Sequence, residues 1–214
     1  EESAAAVAQT QAPASSGTGF SAFGSEEGVP AAPTGPVAPQ GVELAVEAFT
    51  KMLYTFHPNL GNTSQRAVAL CQTLGEVLEL PSDQLKSLLW AAALHDIALV
   101  AVDRGIVRRW LRGAEKCTDE EMVMVKKHPE HAQKMLEPYP FFQEAAELIR
   151  AHHEHWDGTG YPDALKGEMI PWLSRLLCVV ITYCSKHAAS IQAMSEIEAE
   201  AEKMHEESER LIDR

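Results

Sequence analysis

From Val42 to Tyr183 the apolar side chains return at three- and four-residue steps, and no stretch alternates apolar and polar residues for long. That periodicity builds helices and gives a sheet no half-buried strands. Val46, Phe49, Leu53 and Phe56 share one face of a first helix. Ala67, Leu70, Leu74 and Val77 mark a second, after a turn expected at Pro58 to Asn62 with Ser64 as its cap. Ser82 is expected to cap a third helix carrying Leu85, Leu88, Leu89 and Ala92. Thr118 and Glu121 form a capping box ahead of Met122, Val125, Ala132 and Met135, read as one helix. Phe142, Ala145, Leu148 and Ile149 give the next, and a sixth runs from about Pro171 through Leu173, Leu176, Val180 and Tyr183. The expected fold class is all-α.

The flanks differ in composition. Residues 1–41 are rich in Ala, Pro, Gly and Ser, hold no Lys or Arg, and offer only Phe20 and Phe23 as large apolar groups. Such a segment buries too little surface to offset its ordering entropy, so a disordered linker is expected there, with another element attached upstream. Residues 42–190 then form the helical domain, and 191–214 an acidic C-terminal helix poor in large apolar residues. The formal net charge of -13 repels a phosphate backbone over most of the surface, which argues against DNA or RNA as partner. No run approaches the ~20 apolar residues of a membrane span. The four cysteines contain no C-x-x-C pair, and three lie among apolar residues, as in a reduced, cytoplasmic protein. With neither an initiator Met nor a signal peptide, the chain is expected to be a fragment or a processed product.

Polar residues interrupt the apolar stripes at a few places. His95 and Asp96 follow Ala91, Ala92, Ala93 and Leu94 at the end of the third helix. His128 stands three residues after Val125 and four before Ala132, on the core side. His152 and His153 continue the stripe of Leu148 and Ile149. One such histidine is usually a satisfied core residue. Four histidines and a carboxylate converging from three helices are instead well satisfied by a divalent metal, because buried polar groups are costly without a partner. His57, His131, His155, His187 and His205 lack this pattern and are expected at the surface.

The segment His152-His153-Glu154-His155-Trp156-Asp157-Gly158-Thr159-Gly160-Tyr161-Pro162 resembles the H-H-E-x-x-D-G-x-G-Y-P signature of HD-GYP domains. Leu94-His95-Asp96-Ile97 resembles the family's H-D motif, His128-Pro129-Glu130 its middle histidine, and Leu165, Gly167, Ile170-Pro171 and Arg175 its continuation. The likeness runs from roughly Val42 to Ser185. It implies an HD-domain-like helical bundle of bacterial cyclic di-GMP signalling. In that family histidines and aspartates hold two, sometimes three, metal ions, often iron or manganese, that activate water against a phosphodiester. On this chain the resemblance implies metal ligands at His95, Asp96, His128, His152 and His153, with His95 and Asp96 at the catalytic centre. It assigns Asp157, Gly158, Gly160, Tyr161, Pro162 and Arg175 to a substrate or partner loop, associated in the family with GGDEF-type domains. Gly158, Gly160 and Pro162 also read as a turn by their own chemistry, with Tyr161 expected near its tip.

The chain departs from the pattern around one ion. Thr63 stands where the family has an early histidine and Ile181 where it has a late aspartate; Leu99 replaces a lysine and Cys184 a second aspartate. A long connection between His95 and His128 is read as an altered basic loop with Arg104, Arg108, Arg109 and Arg112, either a solvated surface or a replacement phosphate or partner contact. The expected function is therefore a signalling module that binds one metal and has weak or absent phosphodiesterase activity, with cyclic di-GMP or a protein as partner. The competing reading is an active metal-dependent cyclic di-GMP phosphodiesterase. A generic helical interaction domain with vestigial residues accounts for least, because it leaves the set of inward ligands unexplained.

Overall fold

The computed structural model describes residues 39–186, and among them it forms eight α-helices and no strand. In chain order they are α1 (Pro39–Phe56), α2 (Pro58–Val77), α3 (Ser82–Leu94), α4 (Arg104–Trp110), α5 (Asp119–Lys126), α6 (His128–Leu136), α7 (Gln143–Arg150) and α8 (Trp172–Lys186). The all-α expectation holds. The proposed linker, apart from the few residues that begin α1, and the proposed helix over 191–214 lie outside the described residues.

Helix α3 is the centre of the bundle. It packs on α2, α7, α1 and α8, and its run Ala91-Ala92-Ala93 lets the neighbouring backbones come close. Ala67 and Cys71 of α2, Ala145 and Ile149 of α7, and Leu177 and Val180 of α8 close around it as the main core. A second cluster joins Leu53, Leu60, Leu99, Ile106, Val107 and Val125, with Trp110 against its edge. The two clusters flank the C-terminal end of α3, which delivers His95 and Asp96 between them.

Several boundaries differ from the sequence reading. The turn expected at Pro58 to Asn62 is the first turn of α2: Pro58 is the first helical residue, where a missing N–H costs nothing and its fixed φ suits the helix. Burial of Leu60 beside Leu53 carries the helix through Gly61 and Asn62. Ser64 is thus not a cap but a buried mid-helix residue on the stripe of Leu60, Ala67 and Cys71. Ser82 is the first residue of α3 and makes no capping bond; Pro81 precedes it. The capping box forms as expected, with the Thr118 hydroxyl accepting from the Glu121 N–H and the Glu121 carboxylate accepting from the Thr118 N–H. The helix it opens is broken at Lys127, where α6 restarts just ahead of Pro129, since proline clashes with a continuous preceding turn. The supposed basic loop at Arg104 to Arg112 is largely α4. Asp103 caps it, its carboxylate accepting from the N–H groups of Gly105 and Ile106 at 2.8 and 3.1 Å.

Candidate metal centre

Three imidazoles are oriented by one device. Each hydrogen-bonds the carbonyl three residues earlier through Nδ1: His95 to Ala92 at 2.9 Å, His128 to Val125 at 2.8 Å and His152 to Ile149 at 2.5 Å. A carbonyl can only accept, so Nδ1 carries the proton and Nε2 of a neutral ring keeps its lone pair for the site. This arrangement of an outer hydrogen bond and an inward nitrogen is how proteins present histidine to a metal. His95, His128 and His152 are all buried, and none of their Nε2 atoms has a hydrogen-bond partner.

The groups converge. One ligand nitrogen each from His128, His152 and His153 lies within 4.8 Å of the others. Asp96 reaches in from the end of α3, with Oδ1 3.4 Å from His128 Nε2 and Oδ2 3.2 Å from His95 Nε2. Its Oδ1 is buried without a hydrogen bond. The buried Nε2 atoms of His128 and His152 and the Oδ1 of Asp96 are costly without partners, and a divalent ion is the group that satisfies histidine nitrogens and a carboxylate together. The residues fit a metal.

The loop after α7 folds back on this cage. Its Tyr161 is not at the tip, as the sequence reading expected, but half-buried, with its ring stacked on His153 at 4.8 Å and 23°. Gly160 makes that approach possible: a Cβ there would lie 2.3 Å from the His155 nitrogen and 2.6 Å from the His153 carbonyl oxygen. Gly158 takes φ +82°, in the region that favours glycine, and the Asp157 carboxylate beside it accepts from the Thr159 N–H and hydroxyl. Asp157 therefore shapes the turn rather than the cage. Arg175 lies over the Trp156 ring at 5.3 Å, against the outer part of the same loop.

A model of the HD domain family matches residues 47–214. The chain belongs to the HD domain family. Its His152 to Pro162 segment and its relatives make it an HD-GYP member. It is similar to the cyclic di-GMP phosphodiesterase response regulator RpfG of Xanthomonas campestris pv. campestris, at 32% identity over 56% of this chain and 32% of that protein. A cyclic di-GMP phosphodiesterase of Vibrio cholerae is 36% identical over 44% of this chain and 20% of its own length. The 3'3'-cGAMP-specific phosphodiesterase 2 of the same organism is 30% identical over 54% and 22%. The matched region thus spans about a third or less of each of these relatives.

Four positions expected to depart from the family pattern are packed as follows. Leu99 is fully buried with Leu53, Leu60, Ile106, Val107 and Val125. Ile181 is 8% exposed in the main core. Thr63 is half-buried on α2, and its hydroxyl accepts from the Arg66 guanidinium at 3.3 Å. Cys184 is buried near Cys71, whose thiol is pushed up to about 12 by burial and then by Cys184. Of the other histidines, His57 and His131 are half-buried rather than at the open surface, His155 is exposed, and His187 and His205 fall outside the described residues. The four arginines of α4 and its end are exposed, with Arg109 paired to Glu121 and Arg104 over Phe56.

Glu154, part of the signature segment but given no role from the sequence, is a structural tie. Its carboxylate is 3% exposed and accepts from the N–H groups of Asp163 at 2.7 Å and Leu165 at 3.0 Å. The sequence reading missed the clamp beside it, where Arg150 of α7 holds Asp163 through two bonds of 2.6 and 2.7 Å and Gln133 of α6 at 2.9 Å. A carboxylate following two inward histidines was the available signal for the first. The second joins residues 13 and 17 positions apart and leaves no local pattern.

Burial, reinforced by the neighbouring histidines, holds His152 well below the usual imidazole range; burial and then His128 bring His153 to about 3. Burial lowers His128 too, against the pull of Asp96. Burial disfavours the charged Asp96, but His95 and then His128 outweigh it and hold the carboxyl well below its usual value. His95 moves the other way: burial would lower it, yet Asp96 raises it. Three depressed imidazoles contribute stability that is complete above pH 6.5 and lost as pH falls toward their folded values. Asp96 adds a loss below about pH 4, whereas the raised His95 stabilises below pH 6.5 and loses that contribution at higher pH. Between pH 6.5 and 4 His95 is charged in both folded and unfolded chain, so the three depressed imidazoles set the slope there. Metal-free protein moved from pH 7.5 to pH 5 is expected to lose on the order of 2–4 kcal/mol, a fall in Tm of roughly 5–10 °C. A Tm flat across that range in calorimetry would mean that these rings are not buried as neutral bases.

Proposed function

We propose that this HD-GYP domain holds one divalent ion, iron or manganese, through Asp96, His128, His152 and His153, with His95 beside it. It acts as a binding and regulatory module of cyclic-dinucleotide signalling, with weak or absent hydrolysis. The observation that carries this reading is the contrast between two sets of positions. His128, His152 and His153 bring one ligand nitrogen each within 4.8 Å of one another, and the His128 and His152 Nε2 atoms and the Asp96 Oδ1 are buried without a hydrogen bond, whereas Ile181 and Leu99 are packed in apolar cores and the Thr63 hydroxyl is occupied by Arg66. A bound divalent ion supplies Lewis-acid polarisation of a phosphoryl oxygen, and a second ion is what clamps both the attacking and leaving oxygens. Without it, the chain's own contribution is to orient the imidazoles and to bury the cage.

Relatives that act on cyclic di-GMP and on 3'3'-cGAMP support a cyclic dinucleotide as ligand, with cyclic di-GMP taken first. A GGDEF-type or other signalling protein at the loop around Asp157, the flanking linker over 1–41 and acidic helix over 191–214, and a cytoplasmic setting belong to the same proposal. No helix of the described residues is long and apolar enough to cross a membrane.

The test is metal content and hydrolysis on one purified sample, with manganese and iron supplied in parallel and both dinucleotides as substrates. One ion per chain with binding but no turnover is expected. Turnover that disappears in His152→Ala would instead establish the active phosphodiesterase, a reading favoured by the intact His152 to Pro162 segment.

A further inference from the structure

We propose that Glu154 is a positioning residue of the metal centre: it holds the loop over residues 155–165 in place so that Tyr161 fixes the imidazole of His153. This rests on the metal reading above and adds to it a role for the loop itself. Three of the four histidines are aimed by a bond from Nδ1 to a carbonyl three residues back. His153 has no such side-chain bond among the described residues. It follows His152 in the turn just past α7, which ends at Arg150. Its ring is instead held from the side, stacked on Tyr161 at 4.8 Å, and it also lies 5.1 Å from the His128 ring. Lys126 of α5 lies on Tyr161 in turn, with Nζ 5.6 Å from its centroid.

Tyr161 can do this only if the loop is pulled in. Its own N–H donates to the His153 carbonyl at 3.2 Å, a single long bond. The stronger hold is Glu154, whose two oxygens take the N–H groups of Asp163 and Leu165, just beyond Tyr161 and Pro162. An ionised carboxylate accepts at both oxygens and donates at neither, which matches two inward N–H groups. A glutamine has one accepting oxygen, and its NH2 group would confront the other N–H. The same segment is tied from outside by Arg150 to Asp163, so Glu154 and Arg150 grip its two faces. Partners that orient a metal ligand typically affect affinity by about 10–100-fold, although they never touch the ion.

The experiment titrates the full 214-residue metal-free chain with Co(II), read by its visible absorption against a competing chelator. Variants are Glu154→Gln, Tyr161→Phe, Tyr161→Leu and His152→Ala, and the Tm of each metal-free protein is recorded. Glu154→Gln and Tyr161→Leu are expected to weaken Co(II) binding by about 10–100-fold and to change its absorption spectrum. Tyr161→Phe keeps the stack and should stay within about threefold of the parent. Glu154→Gln that lowers Tm but leaves affinity and spectrum unchanged would make the residue merely structural and overturn the proposal. Equal losses for Tyr161→Phe and Tyr161→Leu would overturn it too, by assigning the effect to the hydroxyl. Should Glu154→Gln fail to fold, the two tyrosine variants still decide. Parent protein that binds no Co(II), or His152→Ala that binds as tightly as the parent, would count against the metal assignment itself, a separate failure.

Discussion

His152→Ala is expected to take the protein from about one bound metal ion per chain to less than a tenth of one. His152 is the hub of the cage. Its ring lies 5.4 Å from that of His95, 5.3 Å from His128 and 4.0 Å from His153, and its Nε2 is buried with nothing else to bind. The loss is not readily made good by a neighbour, because the Nδ1 bonds of His95 and His128 fix those rings toward their present positions. Removing the side chain also removes an unpartnered buried nitrogen, which offsets part of the cavity it leaves. The metal-free variant should therefore remain folded by circular dichroism, and its Tm should depend less on pH between 7.5 and 5, since one depressed imidazole is gone. Elemental analysis after dialysis is the deciding measurement. A full equivalent of metal in folded His152→Ala would place the ion elsewhere and remove the basis of the proposed function.

What the sequence disclosed follows the range of the interactions involved. Periodicity alone marked Leu88, Ala92, Leu148, Ile149 and Val180 as core, because a helix repeats its buried face every three or four residues. It also turned His128 and His152 inward, since His128 lies on the apolar stripe of α6 and His152 continues that of α7 just past its end. The Thr118 box was visible because both of its bonds span three residues. Ser64 and Ser82 were misread since a serine near a helix start is a cap only if the chain leaves the helix there. At Pro58 the burial of Leu60 decided otherwise. The helix at Arg104 was hidden in a run of charge whose apolar side is only Ile106, Val107 and Trp110. Tyr161 and Glu154 depend on a loop returning to its own origin, through bonds such as Glu154 to Leu165 that no helical or strand period encodes. The unpartnered state of the His128 and His152 Nε2 atoms and of the Asp96 Oδ1 is likewise a property of the folded cage, and it is what gives the inward histidines a chemical meaning.

The double variant Thr63→His with Ile181→Asp is expected to raise metal content from about one ion per chain to about two. Both positions lie on packed elements, Thr63 on α2 and Ile181 on α8, and these helices pack against each other. Ile181→Asp alone should be severely destabilising, because the site is 8% exposed and surrounded by core residues such as Leu177, Val180 and Cys184. Burying a carboxylate without a partner there costs on the order of 3–5 kcal/mol, or a Tm fall of roughly 10 °C for a chain of this size. In the double variant a bound ion supplies the missing partner, so stability becomes conditional on metal: low in chelator, recovered when manganese or iron is added. The single Thr63→His, half-buried beside Arg66, should fold normally and bind no additional ion. Two ions accompanied by metal-dependent recovery of Tm would mean that the backbone frame of a two-metal site survives and that only its side chains are missing. A count that stays at one, with the double variant as unstable as Ile181→Asp in the presence of metal, would mean that α2 and α8 no longer face a common point. In that case the reduced site is a property of helix packing, beyond the reach of any change of ligand.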